Sequence, residues 1–437
     1  MSDTIFAAAS GEGLCAISVI RVSGPDADPA LRALCSPHAM PQPRYAALRR
    51  IRHPDTGALL DQSLVLRFSA PASFTGEDCF ELHIHGGRAV TAGVLEALGR
   101  CPGLRPAQPG EFTRRAFLNG KLDLTEAEGL ADLIEANTVA QRDQALALAG
   151  GQLRGRAEQW RSDIMSVKAQ VEADIDFSDE ADVPSDVASD LIDRIDLLCN
   201  DMEKALSEGR RGEILRRGFT VVLAGAPNAG KSSLMNALVR RDIAIVSSIP
   251  GTTRDLIEAS LDLEGLPVTL VDTAGLRDAG DEIELEGIKR ARARAEAADL
   301  VLWLSAPGED EITVELPQSP ILKILSKSDL RTADSAPEQM LRLSARTGEG
   351  VDALLKAIAE RARRALRPEE PALMTRQRHR QGLADAVSAL RRIVSGMPIE
   401  VAAEELRIAA RSLGSIIGLV SAEDVLGEIF GRFCIGK

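Results

Sequence analysis

Residues 225–232 read Gly-Ala-Pro-Asn-Ala-Gly-Lys-Ser and match the phosphate-binding pattern G-x-x-x-x-G-K-[ST]. An apolar, β-rich stretch, residues 219–224, precedes this loop, and residues 233–239 follow it with their leucines on one helical face. Strand, glycine-rich turn and helix is the order in which backbone N–H groups and a helix N-terminus bind phosphates. The sequence therefore predicts an α/β P-loop domain that binds a nucleotide, with Lys231 neutralising phosphate charge.

Four further motifs follow in order and identify a guanine nucleotide as the ligand. They are Gly-Thr-Thr-Arg-Asp at 251–255, Asp-Thr-Ala-Gly at 272–275, Ser-Lys-Ser-Asp at 326–329 and Ser-Ala-Arg at 344–346. Ser232 and Thr253 are predicted Mg²⁺ ligands, and Asp272 is expected to hold the ion through water. The carboxylate of Asp329 accepts hydrogen bonds that guanine offers and adenine does not, so we predict GTP as the substrate.

Two positions depart from the usual GTPase pattern. Ser326 stands where these proteins usually carry asparagine, and its shorter side chain predicts a weaker link between the base loop and the phosphate loop. Leu276 occupies the place of a water-orienting glutamine and cannot hydrogen-bond water. Acidic residues at 281, 282 and 284 are candidates for that role, but acids are also typical of an exposed helix start. The residues by themselves leave both interpretations open.

Several strings, taken in order, resemble the MnmE (TrmE) family of tRNA wobble-uridine modification GTPases. They are Ser-Phe-Thr-Gly-Glu-Asp at 73–78, the stretch 109–124, the GTPase motifs above, and Phe-Cys-Ile-Gly-Lys at 433–437. The similarity runs from residue 4 to residue 437, with a shortened stretch near 307–319. It implies a potassium-stimulated GTPase in which hydrolysis drives a domain rearrangement during tRNA modification.

The same resemblance implies the residues of the nucleotide site. Glu284 would orient the attacking water, and a potassium ion would supply the positive charge that phosphoryl transfer requires. The implied potassium ligands are Asn228, Ser247, Ile249 and Thr252. The implied GTP-binding residues are Asn228, Ala229, Gly230, Lys231, Ser232, Ser233, Ser247, Ser248, Ile249, Pro250, Gly251, Thr252, Thr253, Asp272, Thr273, Ala274, Gly275, Lys327, Asp329, Ser344, Ala345 and Arg346.

For the N-terminal part, the resemblance implies a tetrahydrofolate site. Arg21, Glu81 and Lys121 align with folate-contacting positions. A carboxylate suits the N–H donors of a pterin ring, and cations suit the glutamate tail of the cofactor. A 5-formyl- or methylene-tetrahydrofolate would supply the carbon unit. Cys434 is implied as a catalytic thiol near this site, whereas a buried, inert cysteine is the alternative.

The implied reaction adds a (carboxymethyl)aminomethyl group to C5 of the wobble uridine, position 34, of certain tRNAs. The implied partners are a second copy bound through the N-terminal domain, the FAD-dependent protein MnmG in a heterotetramer or larger assembly, and tRNA. A ribosome-assembly GTPase that binds rRNA and a signalling GTPase are the alternatives. A ribosome-assembly GTPase would be expected to end in an RNA-binding module and to lack the folate-like N-terminus.

Composition agrees with a large soluble protein. The chain has 437 residues, of which 45% are hydrophobic and 27% charged, and this predicts about three domains. No apolar run approaches the ~18 residues of a membrane span, so we expect a cytoplasmic protein. The net charge of −13 restricts RNA contact to local basic clusters such as the arginines between residues 361 and 380.

We predict a multidomain fold with an inserted GTPase domain. The expected parts are an α+β folate-binding and dimerisation domain (1–118), the first part of a discontinuous all-α helical domain (119–215), a Ras-like α/β P-loop G domain (216–371), and the second helical part with the C-terminal cysteine motif (372–437). Thr125 and Glu128 have the spacing of a capping box, which predicts a helix start there.

Overall fold

The computed structural model describes most of the chain, in two compact units. The described residues are 3–11, 13–37, 39–176, 186–225, 228–241, 244–245, 258–272, 296–307, 319–330, 340–367, 372–419, 427, 429–431, 433 and 436. One unit comprises residues 1–131 and 414–437, and the other comprises residues 132–413. The predicted fold class, with α+β, all-α and α/β P-loop parts, is confirmed. The bounds of these four parts stay a prediction.

A six-stranded sheet with the strand order β3-β4-β5-β2-β1-β6 forms the first unit. Its strands are β1 (Thr4–Ala8), β2 (Ile17–Ser23), β3 (Ala47–Arg52), β4 (Leu59–Phe68), β5 (Cys79–His85) and β6 (Leu104–Pro106). Its helices include α1 (Ala27–Cys35), α2 (Arg88–Gly99) and α3 (Glu111–Leu118). The sequence pattern predicts strands at 5–9, 15–22, 63–68 and 80–85 and a helix at 91–99, and these are confirmed as β1, β2, β4, β5 and α2. The sequence patterns missed β3, β6, α1 and α3, because these elements are short or, in β3, rich in arginine.

Alternation along the strands gives this sheet one face packed on α1 and α2 and an opposite, outward face, which Phe112 of α3 covers in part near β1. On β5, Phe80, Leu82 and Ile84 are buried in a core that they share with α1 and α2. Glu81 and His83 project to the opposite side, because successive strand residues point to opposite faces. The outward face is therefore where this unit carries its polar chemistry.

Helix α4 (Leu124–Glu135) begins with a capping box, but not at the predicted residues. Asp123 Oδ1 accepts hydrogen bonds from the backbone N–H groups of Thr125 at 2.6 Å and Glu126 at 2.9 Å. Glu126 Oε2 in turn accepts from the backbone N–H of Asp123 at 2.7 Å. The predicted Thr125–Glu128 box is wrong, because the reciprocal pair stands two residues earlier and both predicted side chains are buried.

The second unit contains a seven-stranded sheet with the order β13-β12-β11-β7-β10-β9-β8. Its strands are β7 (Phe219–Gly225), β8 (Ala244–Ile245), β9 (Glu258–Leu263), β10 (Leu266–Asp272), β11 (Leu300–Ser305), β12 (Ile321–Leu325) and β13 (Leu341–Arg342). All neighbours pair in parallel except β9, which is antiparallel to both of its neighbours. Parallel strands bring their carboxyl ends to one edge of the sheet, so the last residues of β7, β10, β12 and β13 lie along that edge.

Helices cover this sheet and continue beyond it. Helices α8 (Lys231–Val239) and α9 (Val351–Leu366) contribute to the core of the sheet. The remaining helices are α5 (Val139–Ala149), α6 (Gln152–Asp176), α7 (Asp186–Arg217), α10 (Gln377–Arg391) and α11 (Ile399–Ile417). Buried Gln144 of α5 donates to the carbonyl oxygens of Gly212 at 3.2 Å and Ala372 at 2.9 Å. This amide therefore ties together three segments that are remote in sequence. Within the described part of the chain, no helix is both long and apolar enough to cross a bilayer.

Several arginines between residues 361 and 380 form ion pairs within the second unit. Arg363 pairs with Glu264, Arg376 lies 2.7 Å from Asp132, and Arg380 pairs with Glu213. These carboxylates offset part of the positive charge of the basic stretch.

Candidate functional site

The phosphate-binding loop occupies the turn between β7 and α8. Gly225 at the end of β7 has φ of 142°, and Gly230 just before α8 has φ of 91°, which L side chains rarely adopt. A Cβ atom at Gly225 would lie 2.1 Å from the carbonyl oxygen of Leu304 on the neighbouring strand β11. Glycine is required here because the two backbones approach too closely for any side chain. Asn228 lies between them with φ of 63° and is exposed to solvent.

Polar side chains converge at the start of α8. The Lys231 ammonium group donates to the carbonyl oxygen of Gly225 at 2.9 Å, across the mouth of the loop. The Ser232 hydroxyl donates to Asp272 Oδ2 at 2.9 Å, and Asp272 is buried at the end of β10. A hydroxyl and a carboxylate side by side form a hard-oxygen donor set of the kind that suits Mg²⁺. The residues present therefore fit a magnesium ion held beside a phosphate cradle.

A carboxylate lies at the far end of the same sheet edge. Asp329 lies in a short 3₁₀ turn, Ser328–Leu330, after β12. Its Oδ1 accepts from the Ser344 hydroxyl at 2.7 Å, and its Oδ2 lies 2.9 Å from Nη2 of Arg346. The Ser344 hydrogen bond, with the Arg346 charge adding to it, lowers the pKa of Asp329. The group is therefore a carboxylate acceptor throughout the neutral range.

Ser326 is buried beneath the phosphate loop but does not bond to it in the described residues. Its hydroxyl donates to the carbonyl oxygen of Ser305 at 3.1 Å, and its backbone N–H donates to the same oxygen at 2.9 Å. The nearest atom to a Cβ built at Gly230 is the Ser326 Cβ, at 4.0 Å. A short space thus separates the loop at Ser326 from the phosphate loop at Gly230. The Ser326 hydroxyl does not span this space, because it bonds to Ser305 of β11.

The structure describes part of the predicted nucleotide site. Asn228, Ala229, Gly230, Lys231, Ser232, Ser233, Asp272, Lys327, Asp329, Ser344, Ala345 and Arg346 all belong to the second unit and lie at loops after its parallel strands or in α8. Ser247, Ser248, Ile249, Pro250, Gly251, Thr252, Thr253, Thr273, Ala274, Gly275, Glu284 and Cys434 lie outside the described residues, as does Leu276. The roles assigned to all of them stay predictions.

A second polar site lies on the outward face of the N-terminal sheet. Strand register sets Arg21 of β2 directly opposite Glu81 of β5, and Arg21 Nε donates to Glu81 Oε1 at 3.0 Å. The Arg21 guanidinium also lies 5.3 Å from the ring centre of Phe74 and 5.8 Å from that of Phe112. His83 Nε2 is 3.5 Å from the other Glu81 oxygen. These groups form a cation, carboxylate and aromatic cluster, of which Phe74 is partly exposed.

Lys121 lies against the loop between β4 and β5, the loop that also carries Phe74. A Cβ atom at Gly76 would lie 3.4 Å from the Lys121 side chain, so the loop backbone passes directly beside the lysine. Asn119 Nδ2 donates to the carbonyl oxygen of Thr75 at 2.7 Å and holds the loop there. Arg21 and Glu81 thus lie side by side on β2 and β5, and Lys121, between α3 and α4, lies against the loop that leads into β5.

A buried arginine anchors this loop from beneath. Arg115 is 1% exposed and its Nη1 lies 3.2 Å from Glu77 Oε2, which also accepts from the Ser23 hydroxyl at 2.7 Å. Phe74, Glu77 and Arg115 were not singled out as site residues from the sequence. The signal was present, because all three stand inside the two strings, 73–78 and 109–124, that carry the N-terminal resemblance.

Comparison with known proteins shows similarity along the whole chain. The family profile described as the MnmE helical domain matches residues 124–434, and that described as the GTP-binding protein TrmE N-terminus matches residues 4–121. The chain is 52% identical over 441 residues to the tRNA modification GTPase MnmE of Parvibaculum lavamentivorans, with 100% of both chains covered. It is 53% identical over 441 residues to that of Methylorubrum populi, which covers 100% of this chain and 98% of the relative.

Proposed function

This chain belongs to the MnmE family of tRNA modification GTPases, and we propose that it couples potassium-stimulated GTP hydrolysis to wobble-uridine modification. It is a GTP hydrolase that acts in tRNA modification. In the finer proposal, it works with the FAD-dependent partner MnmG to add a (carboxymethyl)aminomethyl group to C5 of uridine 34, with a tetrahydrofolate one-carbon donor. The observation that carries the GTPase function is the pair Ser232 and Asp272 beside Lys231, with Asp329 along the same sheet edge.

Each of these groups has a defined task in the proposed hydrolysis. Lys231 neutralises the β- and γ-phosphates, and Ser232 with Asp272 would hold Mg²⁺ between them. A magnesium ion held there would supply positive charge that offsets the negative charge of the phosphates during hydrolysis. Asp329 selects guanine by accepting from its N1–H and 2-amino groups. Glu284, outside the described residues, is proposed to orient the attacking water.

Potassium is proposed to supply the cationic charge at the loop itself. Asn228 is exposed within the phosphate loop, so its amide oxygen is available to a monovalent cation. Ser247, Ile249 and Thr252 would complete the site. Hydrolysis should be faster in K⁺ than in Na⁺ at equal ionic strength, and Asn228→Ala should abolish that difference while nucleotide binding persists. Exposed Asn236 on α8 is the matched control, and its alanine variant should keep the potassium response. Equal wild-type rates in the two salts would disprove the potassium role.

The Arg21 cluster supports a tetrahydrofolate site in the N-terminal domain. Glu81 is suited to accept pterin N–H donors, Lys121 to pair with the glutamate tail, and Phe74 offers an exposed aromatic ring beside the Arg21 cation. The donor is proposed to be a 5-formyl- or methylene-tetrahydrofolate. Cys434 is proposed to take part in the transfer chemistry.

A homodimer through the N-terminal domain is supported by the apolar side chains on the sheet's outward face. Ile17, Leu48 and Leu64 are 59%, 55% and 46% exposed. Register sets Leu48 directly opposite Leu64, so two of these exposed apolar side chains adjoin on neighbouring strands. Contiguous exposed apolar surface of this kind marks an association surface. Leu64→Asp should shift the protein from dimer to monomer in analytical ultracentrifugation, whereas Leu330→Asp, exposed in the second unit, should not.

The overall function is tested by mass spectrometry of tRNA nucleosides. A strain that lacks this protein should lose the C5 modification of uridine 34, and the wild-type gene should restore it. The Lys231→Ala variant should fail to restore it if hydrolysis drives the reaction. Wobble uridines that stay fully modified in the deletion strain would refute the proposed function.

A further inference from the structure

The base-reading carboxylate is already occupied on both oxygens by groups of this chain. Asp329 Oδ1 accepts from the Ser344 hydroxyl, and Oδ2 lies 2.9 Å from Nη2 of Arg346. The two partners differ in their surroundings. Ser344 is buried and its hydroxyl also accepts from the backbone N–H of Thr347 at 3.2 Å, so it is held in place. The Arg346 side chain is 77% exposed, against 12% for Asp329.

Arg346 presents to Asp329 the same kind of donor edge as guanine. A guanidinium group carries parallel N–H donors in one plane, the arrangement that pairs with a carboxylate. Guanine offers N1–H and a 2-amino group in a similar planar arrangement. The arginine and the base therefore have the same hydrogen-bonding requirement, and Arg346 already lies at Oδ2. Ser344 does not compete in this way because it donates a single hydrogen bond to Oδ1, which keeps a second acceptor site for the base.

We propose that Arg346 is an intramolecular competitor of guanine at Asp329, and that its ion pair must open before the base binds. The Arg346 side chain thus acts on the free protein, whereas the implied contact of residue 346 to the bound base is through its backbone N–H, which the alanine variant keeps. The inference rests on the proposed guanine-reading role of Asp329. If only a fraction of the protein has the pair open, association of nucleotide is slowed by that fraction. Dissociation of the nucleotide is not slowed, because in the bound complex the Arg346 side chain has already left Asp329.

Stopped-flow kinetics with N-methylanthraniloyl-GDP separate these two steps. Arg346→Ala should raise the association rate constant about two- to fivefold, the range that suits an exposed ion pair, and leave the dissociation rate constant unchanged. The gain should shrink as ionic strength rises, because salt screens the exposed pair. A faster dissociation would mean that Arg346 contacts the bound base, and unchanged rates would mean that the pair has no effect. Either result overturns the proposal.

A matched variant controls for net charge. Arg364 lies exposed in the last turn of α9, and Arg364→Ala removes the same charge from the second unit. Its association rate constant should equal that of the wild type. An equal gain in Arg364→Ala and Arg346→Ala would assign the effect to long-range electrostatics and overturn the proposal.

The Asp329→Asn background separates failure of this proposal from failure of the guanine assignment. If Asp329 reads guanine, Asp329→Asn weakens GDP binding and favours xanthosine diphosphate. In that background, Arg346→Ala should no longer speed association of xanthosine diphosphate, because the ion pair is already lost. A gain that persists there would show that Arg346 acts elsewhere and overturn the proposal. Unaltered GDP binding by Asp329→Asn alone would instead refute the guanine-reading role.

Discussion

The phosphate loop and the N-terminal polar cluster are built in opposite ways. The loop uses residues 225–232, which are contiguous, and its geometry comes from backbone approach at Gly225 and the start of α8. The N-terminal cluster joins Arg21, Glu81 and Lys121, which are separated by up to 100 positions in the sequence. It depends on β2–β5 register and on a loop held by Asn119 and Arg115.

This difference decides how each site tolerates change. A site built from backbone groups tolerates few substitutions at its glycines, whereas substitution of its exposed side chains leaves the fold intact. A site made of side chains loses function when one group is removed, although the sheet beneath it survives. The four predictions below test that contrast, from the largest expected effect to the smallest.

Gly225→Ala should cause the largest loss. Its Cβ would lie 2.1 Å from a backbone oxygen of β11, and φ of 142° is unfavourable for alanine, so we expect about 3 kcal/mol or more of destabilisation. Urea unfolding measures it. Gly265→Ala is the matched control, because Gly265 also has positive φ but no atom within 4 Å of its Cβ position. Equal losses in the two variants would mean that backbone approach at Gly225 is not decisive.

Asp329→Asn should weaken GTP binding about 10²-fold, because the variant loses a charge-assisted acceptor and presents a donor towards guanine N–H groups. Binding of XTP should strengthen at the same time. Equilibrium titration with both nucleotides measures the exchange of preference. A variant that retains GTP selectivity would show that backbone groups, and not the Asp329 side chain, select guanine.

Arg21→Ala should weaken tetrahydrofolate binding about tenfold, because Glu81 loses its ion-pair partner and Phe74 loses the cation beside it. Isothermal titration calorimetry with 5-formyl-tetrahydrofolate measures the affinity. Arg50→Ala on β3 is the control, since that residue is an exposed arginine of the same sheet. Unchanged folate affinity in Arg21→Ala would refute the assignment of the site.

Ser326→Asn should have the smallest effect, a gain of about fivefold in GDP affinity. The longer amide is expected to bridge the gap towards Gly230 that the serine hydroxyl leaves, since that hydroxyl bonds to Ser305 instead. Competition titration against the wild type measures the gain. Ser326→Ala should bind GDP as the wild type does, because the serine hydroxyl bonds to Ser305 and, among the described residues of the phosphate loop, to none. A lower affinity in the asparagine variant would indicate overpacking at this buried position.

The sequence predicted secondary structure correctly where a strand or helix carries its own local pattern of apolar residues. Apolar runs at 267–271, 300–304 and 321–325 predict three strands, and the structure has them as β10, β11 and β12. The helix start at residue 124 was misassigned because Thr125 and Glu128 have capping spacing, and only burial shows that they serve the core. The strand β3 was missed because Arg49, Arg50 and Arg52 interrupt its apolar pattern.

The sequence by itself determined the order of the GTPase motifs, the chemistry of Lys231, Ser232 and Asp329, and the N-terminal strings that carry the family resemblance. These are local properties, since a motif specifies its own backbone turn and its own functional groups. Only the tertiary structure decided that Phe74 lies on Arg21, that Arg115 holds the loop beneath, and that Arg346 occupies the Asp329 carboxylate. Those contacts depend on strand register and loop closure over long separations, and no single stretch of the chain encodes them.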